Sequence, residues 1–198
     1  MTAYYLTHPQ VEIEPARPVP EWRLSRQGRA RVELMLAQEW LHSVTRIFSS
    51  AETKAVETAA IVAAHLRVPL EIDPAMGEND RSSTGFLEPK AFEAAADRFF
   101  GEPEKSWQGW ERAVDAADRI ERAVENALDR CATSIPVLFI GHGAVGTLLK
   151  CRLSGRPISR EEDQPAGGGN LFAFGIASRK LLCDWTPIES FGGVADAR

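Results

Sequence analysis

The sequence predicts an α/β fold: a three-layer sandwich in which a mostly parallel central sheet carries helices on both faces. Three observations predict it. Short, wholly apolar runs such as Tyr4-Tyr5-Leu6 and Val137–Ile140 read as strands buried on both sides. Longer stretches with apolar residues at helical spacing separate them. Strand and helix alternate along the chain, the order that crossover connections impose on a parallel sheet. At 198 residues the chain reads as one domain, 1–198, long enough to bury a full core without staples.

The elements follow in order. Residues 3–7 form the first strand. Residues 9–22 hold Pro9, Pro15, Pro18 and Pro20 and read as a surface loop. Ser25 caps a helix whose apolar positions are Val32, Leu34, Met35, Leu36 and Trp40. Residues 44–48 are a second strand. Ser49 followed three residues later by Glu52 is a capping-box pattern, opening an alanine-rich helix to about Leu66. Residues 68–72 make a third strand. Residues 73–90 are polar and aperiodic, the composition of a functional loop. Residues 91–100 and about 108–131 read as helices, the second with Ala113, Val114, Ala117, Ile120, Val124 and Leu128 on its core stripe. A strand over 136–140 leads through Gly141-His142-Gly143 into a helix over 144–153. Pro165-Ala-Gly-Gly-Gly is a flexible turn, 170–176 and 180–186 form a hairpin, and the last ten residues read as a loose tail. Residues 79–110 are expected to be a cap or substrate-loop insertion.

Composition narrows the function. A net charge of −5 argues against nucleic acid or an anionic membrane surface as partner. No apolar run reaches the roughly 18 residues of a membrane span. Cys131, Cys151 and Cys183 lie far apart with no CxxC pair, which points away from a zinc or redox site and toward a reducing cytoplasm. No metal or other cofactor is expected. Oligomeric state is not legible.

In a parallel sheet, ligands collect beyond the carboxyl ends of the strands. Strand one ends at Thr7-His8, strand two at Ser49-Ser50 and the later strand at Gly141-His142. Strand three feeds the loop that holds Glu78 and Arg81. Two histidines, a serine pair and an acidic loop should therefore meet at one edge. A single histidine after a strand is more often structural than catalytic, but two at two strand ends shift the balance. His42 and His65 sit among polar neighbours at helix ends, where surface roles suffice. A zinc site lacks an i, i+4 histidine pair and a second carboxylate. A serine hydrolase lacks G-x-S-x-G. Lys54, one turn into its helix, and Arg23 and Arg81, in irregular segments, can each be solvated cations or face the pocket.

Four blocks, in order, resemble the histidine phosphatase superfamily, the phosphoglycerate-mutase-like fold. YYLTHPQ stands where that family has Arg-His-Gly. LSRQGRARVE (24–33) resembles its Leu-Thr-x-x-Gly-x-x-Gln-Ala helix start. SSAETKAVETAAIVA (49–63) resembles its Ser-Ser-x-x-x-Arg-x-x-Gln-Thr-Ala segment, and FIGHGAVG (139–146) its second-histidine block. The resemblance implies that His8 is the nucleophile, that His142 binds and orients the phosphoryl group, and that Glu78 protonates the leaving group. Glu71 and Glu88 fit that last role less well. Thr7, Lys54, Arg81, Arg23 and Gly143 are the implied phosphate-binding positions. The ligand would be a small phosphorylated substrate or a phosphate or sulfate ion.

Three positions depart from the family pattern. Thr7 replaces the arginine before the nucleophile, Pro9 the glycine after it, and Lys54 the arginine after the serine pair. Neither a hydroxyl nor an ammonium copies the planar fork of arginine. Losing one such transition-state contact costs about 10²–10³ in rate, unless Arg23 or Arg81 supplies the charge. Two functions compete: a phosphomonoester hydrolase working through a phosphohistidine on His8, and a catalytically weak phospho-ligand binder or regulatory module with the same pocket. A plain α/β domain with coincidental histidines is the third.

Overall fold

The computed structural model describes residues 1–131 and 135–194. Six strands form one mixed sheet: β1 (Thr2–Thr7), β2 (Arg46–Ser49), β3 (Leu70–Ile72), β4 (Val137–Gly141), β5 (Asn170–Gly175) and β6 (Leu181–Pro187). Their order across the sheet is β3-β2-β4-β1-β5-β6. The first three pairings are parallel and the last two antiparallel. Five α-helices accompany them: α1 (Arg26–Met35), α2 (Thr53–Leu66), α3 (Pro89–Gly101), α4 (Ala113–Asp129) and α5 (Gly143–Ser154).

Alternation along the strands builds two cores. Tyr4, Leu6, Ile47, Leu138 and Ile140 face α1 and α2. Ala3, Tyr5, Phe48, Phe139 and Phe172 face α3, α4 and α5. Successive strand residues point to opposite faces, so strands covered on both sides must be apolar throughout. This is the three-layer α/β sandwich. The stripe expected on 108–131 packs into the second core, except that the helix begins at Ala113 and Val114 is only half-buried. The turn ahead of it holds Gln108 and Gly109 at φ 48° and 84°, which no helix accommodates.

Other expectations need correction. Ser25 does cap α1, its hydroxyl accepting from the Gly28 N–H at 3.0 Å. Leu34, however, is 68% exposed, because the buried face of α1 is Gly28, Val32 and Met35. The Ser49–Glu52 capping box does not form. α2 starts at Thr53, and Glu52, at the cap position, makes no side-chain cap bond. Its carboxylate is drawn elsewhere, as described below. Val68 lies outside β3, since Arg67 turns left-handed at φ 57° to end α2. The expected loose tail over 189–198 is also wrong as far as the described residues go. Phe191 is 5% exposed and packs edge-on against Tyr4 and Trp40, at 5.9 and 5.1 Å. Residues 195–198 lie outside the described residues. Among the described residues no helix is long and apolar enough to cross a membrane.

Candidate active site

Sheet register places the two histidines side by side. Thr7 pairs with Gly141 across β1 and β4, so the residues that follow, His8 and His142, leave neighbouring strand ends together. The His8 N–H donates to the Gly141 carbonyl at 3.0 Å. The imidazole centroids are 5.2 Å apart with planes at 69°. Gly141 is required at this crossing, since a Cβ there would lie 2.3 Å from the Tyr5 hydroxyl. That hydroxyl accepts from the His142 N–H at 3.2 Å and donates to the His142 carbonyl at 3.3 Å.

His8 has a defined tautomer. Its Nδ1 lies 2.8 Å from the Pro9 carbonyl, which only accepts. Nδ1 therefore carries the hydrogen, and in the neutral ring Nε2 holds the lone pair. Pro9 has lost its N–H but keeps the carbonyl that this bond needs. Burial lowers the His8 pKa to about 4, and the Lys54 charge adds to the shift. Burial also pushes His142 well below the ordinary histidine range, against the opposing pull of Glu52. His142 Nε2 sits 2.8 Å from the Ser50 hydroxyl. Its Nδ1 is buried without a protein partner.

Glu78 arrives on the loop after β3. Its Oε1 accepts from Val145 N at 3.0 Å and Asn79 N at 3.2 Å, and its Oε2 accepts from Ala144 N at 3.2 Å. The N–H groups of Ala144 and Val145, in the first turn of α5, are thus spent on a carboxyl group of this chain. Burial raises the Glu78 pKa. Arg81 opposes the rise and the neighbouring Glu52 adds to it. Arg119 of α4 fixes the loop, donating to the carbonyls of Ala75, Gly77 and Glu78 at 2.8, 2.8 and 3.2 Å.

Of the expected phosphate-binding residues, Arg81 and Gly143 line the cleft that holds His8 and Glu78. The Arg81 guanidinium stacks over Phe92 at 4.8 Å and has no carboxylate partner among the described residues. Arg23 is not brought to the site. Its side chain is 64% exposed, pairs with Glu57 at 3.4 Å and lines neither cleft. Lys54 is buried but occupied, donating to the Val19 carbonyl at 2.8 Å and pairing with Glu52. Burial lowers its pKa, opposed by Glu52. The Thr7 hydroxyl is also used internally. It donates to Gln164 Oε1 at 2.7 Å and accepts from Asn170 N at 3.1 Å.

Sequence reasoning missed Glu52, Gln164, Asn79 and Arg119. Glu52 Oε1 accepts from the Glu78 N–H at 2.8 Å and lies 3.5 Å from His142 Nε2. The pull toward these groups and Lys54 explains why it does not cap its helix. Gln164 lines the His8 cleft, with Nε2 only 2.3 Å from where a Cβ on Gly143 would stand. The one sequence signal for it was a polar Asp163-Gln164 pair before the glycine run. Two clefts meet at Glu78, Asn79 and Arg81. One, of about 860 Å³, contains His8; the other, of about 640 Å³, runs under Pro15–Pro20 and Phe86. No cluster of three or more potential metal ligands occurs among the described residues.

Two histidines thus stand at adjacent parallel strand ends of an α/β sandwich, and the cleft that holds His8 also holds a buried carboxyl group. A family model for the histidine phosphatase superfamily (branch 1) matches residues 9–177, and the chain belongs to that superfamily. The match starts one residue after His8 and includes Glu78 and His142. No curated protein matches by sequence. Among solved structures, a mycobacterial glucosyl-3-phosphoglycerate phosphatase with inorganic phosphate is 17% identical, covering 96% of this chain and 99% of its own, with a TM-score of 0.77. The same phosphatase in complex with VO3 is 19% identical over 87% of this chain and 91% of its own, TM-score 0.72. Bacillus stearothermophilus YhfR is 22% identical, covering 87% of this chain and 89% of its own, TM-score 0.72. At these identities the likeness establishes the phosphoglycerate-mutase-like fold. Membership of the superfamily supports a phosphatase-type function.

Proposed function

We propose that the chain is a cytoplasmic phosphomonoester hydrolase that works through a phosphohistidine on His8. The observation that carries this reading is the His8 tautomer: Nδ1–H is held by the Pro9 carbonyl at 2.8 Å, beside His142 at 5.2 Å. A neutral imidazole with a free Nε2 lone pair is a nucleophile at any pH above about 4. In the first step Nε2 attacks phosphorus, the N–P bond forms and the ester P–O bond breaks. The departing alkoxide takes a proton from the Glu78 carboxyl, whose raised pKa keeps that proton available. Water then attacks the phosphohistidine and gives its proton to the Glu78 carboxylate. The N–P bond breaks, releasing phosphate and restoring neutral His8. His142 and Arg81 hold the phosphoryl oxygens in both steps. Residues 79–110, with α3, form a cap wall over the cleft.

The test is hydrolysis of an aryl phosphate by the wild type and by His8→Ala. Turnover that disappears in the variant, with trapping of a labile phosphoenzyme in the wild type, is the expected result. Activity retained in His8→Ala excludes the mechanism. The internal use of Thr7 and Lys54 favours one second reading, a phospho-ligand binder. It would show as phosphate-dependent thermal stabilisation, lost in His142→Ala, without turnover.

A further inference from the structure

We infer that the phosphoryl pocket selects a singly charged phosphoryl group, the charge of a phosphodiester or of a phosphomonoester that keeps its second proton. The inference rests on the reading of the two-histidine cleft as the phosphoryl site. Its first support is the set of cations around the two clefts. Lys54 is matched by Glu52, Arg17 by Glu14, and Arg160 by Glu93, Asp97 and Asp163. Arg81 alone lines both clefts with no carboxylate partner among the described residues. His8 and His142 add no charge when neutral, and Glu78 contributes either none or a further negative charge. With Glu78 protonated, the single positive charge of Arg81 balances one negative charge. A second would have no further cation lining the junction to offset it.

Two further side chains lining the clefts are neutral amides. Gln164 Oε1 is pinned by the Thr7 hydroxyl at 2.7 Å and by Asn170 Nδ2 at 3.1 Å. This leaves the Nε2 amino group as the free end, beside Gly143 on the wall of the His8 cleft. Asn79 Nδ2 is buried with no partner, at the junction of both clefts. Amide N–H groups satisfy phosphoryl oxygens but add no net charge, unlike a guanidinium fork. The junction also has room on two sides. Clefts of about 860 and 640 Å³ open from Glu78, Asn79 and Arg81, so a phosphoryl group there can carry an organic arm into each.

The experiment is calorimetric binding of phenylphosphonate and its monomethyl ester to the full chain. The first is mostly doubly charged at about pH 8, and the second is singly charged throughout. At about pH 8 the ester should bind roughly tenfold or more tighter than the parent, the two converging near pH 5. The ester, constant in charge, also reports any titration of Glu78, His8 or Glu52, so the ratio isolates the ligand. Gln164→Arg, which adds a guanidinium on the cleft wall, should reverse the order at pH 8. Tighter binding of the doubly charged phosphonate by the wild type at pH 8, or binding of neither ligand at either pH, overturns the inference. Turnover separates the two sources. Hydrolysis of a methyl aryl phosphate at pH 8 marks a diester substrate, while aryl phosphate hydrolysis confined to acid pH marks a protonated monoester. Charge preference without His8-dependent turnover sinks the catalytic reading alone. His8-dependent turnover with preference for the doubly charged ligand sinks this one alone.

Discussion

Burial shifts the pKa of His8 down and that of Glu78 up. With its pKa lowered to about 4 against an ordinary 6.5, His8 takes up a proton in the unfolded chain before it does so in the folded one. Between those values the unfolded state binds more protons, so stability rises with pH across that window. Activity has the same sign. The free enzyme's kcat/KM should drop as pH falls below about 4, and that acid limb should persist in Glu78→Gln. The Glu78 role is tested by leaving group. Glu78→Gln should cost about 10²–10⁴ in kcat on an alkyl phosphate and far less on an activated aryl ester, whose leaving group needs no proton. Equal losses on both would remove Glu78 from the donor role. At this scale the placing of four residues was legible: His8 and His142 because each falls just past a strand end, Glu78 and Arg81 because they lie on the loop that follows β3. The uses of Thr7 and Lys54 were not. Thr7 meets Gln164 from 157 residues away, and no local pattern encodes such a contact.

Elements position these residues through backbone contacts more than through side-chain pairs. α4 holds the Glu78 loop through Arg119, which donates to the carbonyls of Ala75, Gly77 and Glu78 while pairing with Glu111 at 2.7 Å. Arg119→Met should leave the secondary structure intact and lower kcat on poor leaving groups by about tenfold to 10²-fold, because a displaced donor loses its near-attack geometry. Unchanged kcat in a folded variant would show the loop to be held without it. The element bounds show what sequence resolves. Helix α1 was found through Ser25, a local cap that works as the pattern says. The start of α2 was misread because Glu52 has better partners across the site than its own helix N-terminus.

At the scale of the molecule, the sheet order puts β1 and β4 at the centre, where neither strand can shift without breaking two ladders. The alternation of strands and helices made the sandwich legible. The closing segment was missed because Phe191 is a lone apolar residue among Gly192, Gly193 and Ser190, a composition that reads as a tail. Its ring completes the α1–α2 face beside Tyr4 and Trp40. Phe191→Ala should therefore destabilise by about 3 kcal/mol. In a chain of this size that is a fall in Tm of roughly 6–12 °C, read by calorimetry. A fall under about 1 °C would show the segment to be peripheral.

The Thr7–Gln164–Asn170 network also bears on how this pocket can be changed. Each member satisfies the other two: the threonine hydroxyl meets the Gln164 amide, which the Asn170 amide also reaches, and the Asn170 N–H returns to Thr7. An arginine placed at position 7 alone would enter a space already filled, 1% exposed, with its charge facing groups arranged for a hydroxyl. An arginine at position 7 therefore needs at least two coordinated changes, and Thr7, Gln164 and Asn170 can be exchanged only as a set.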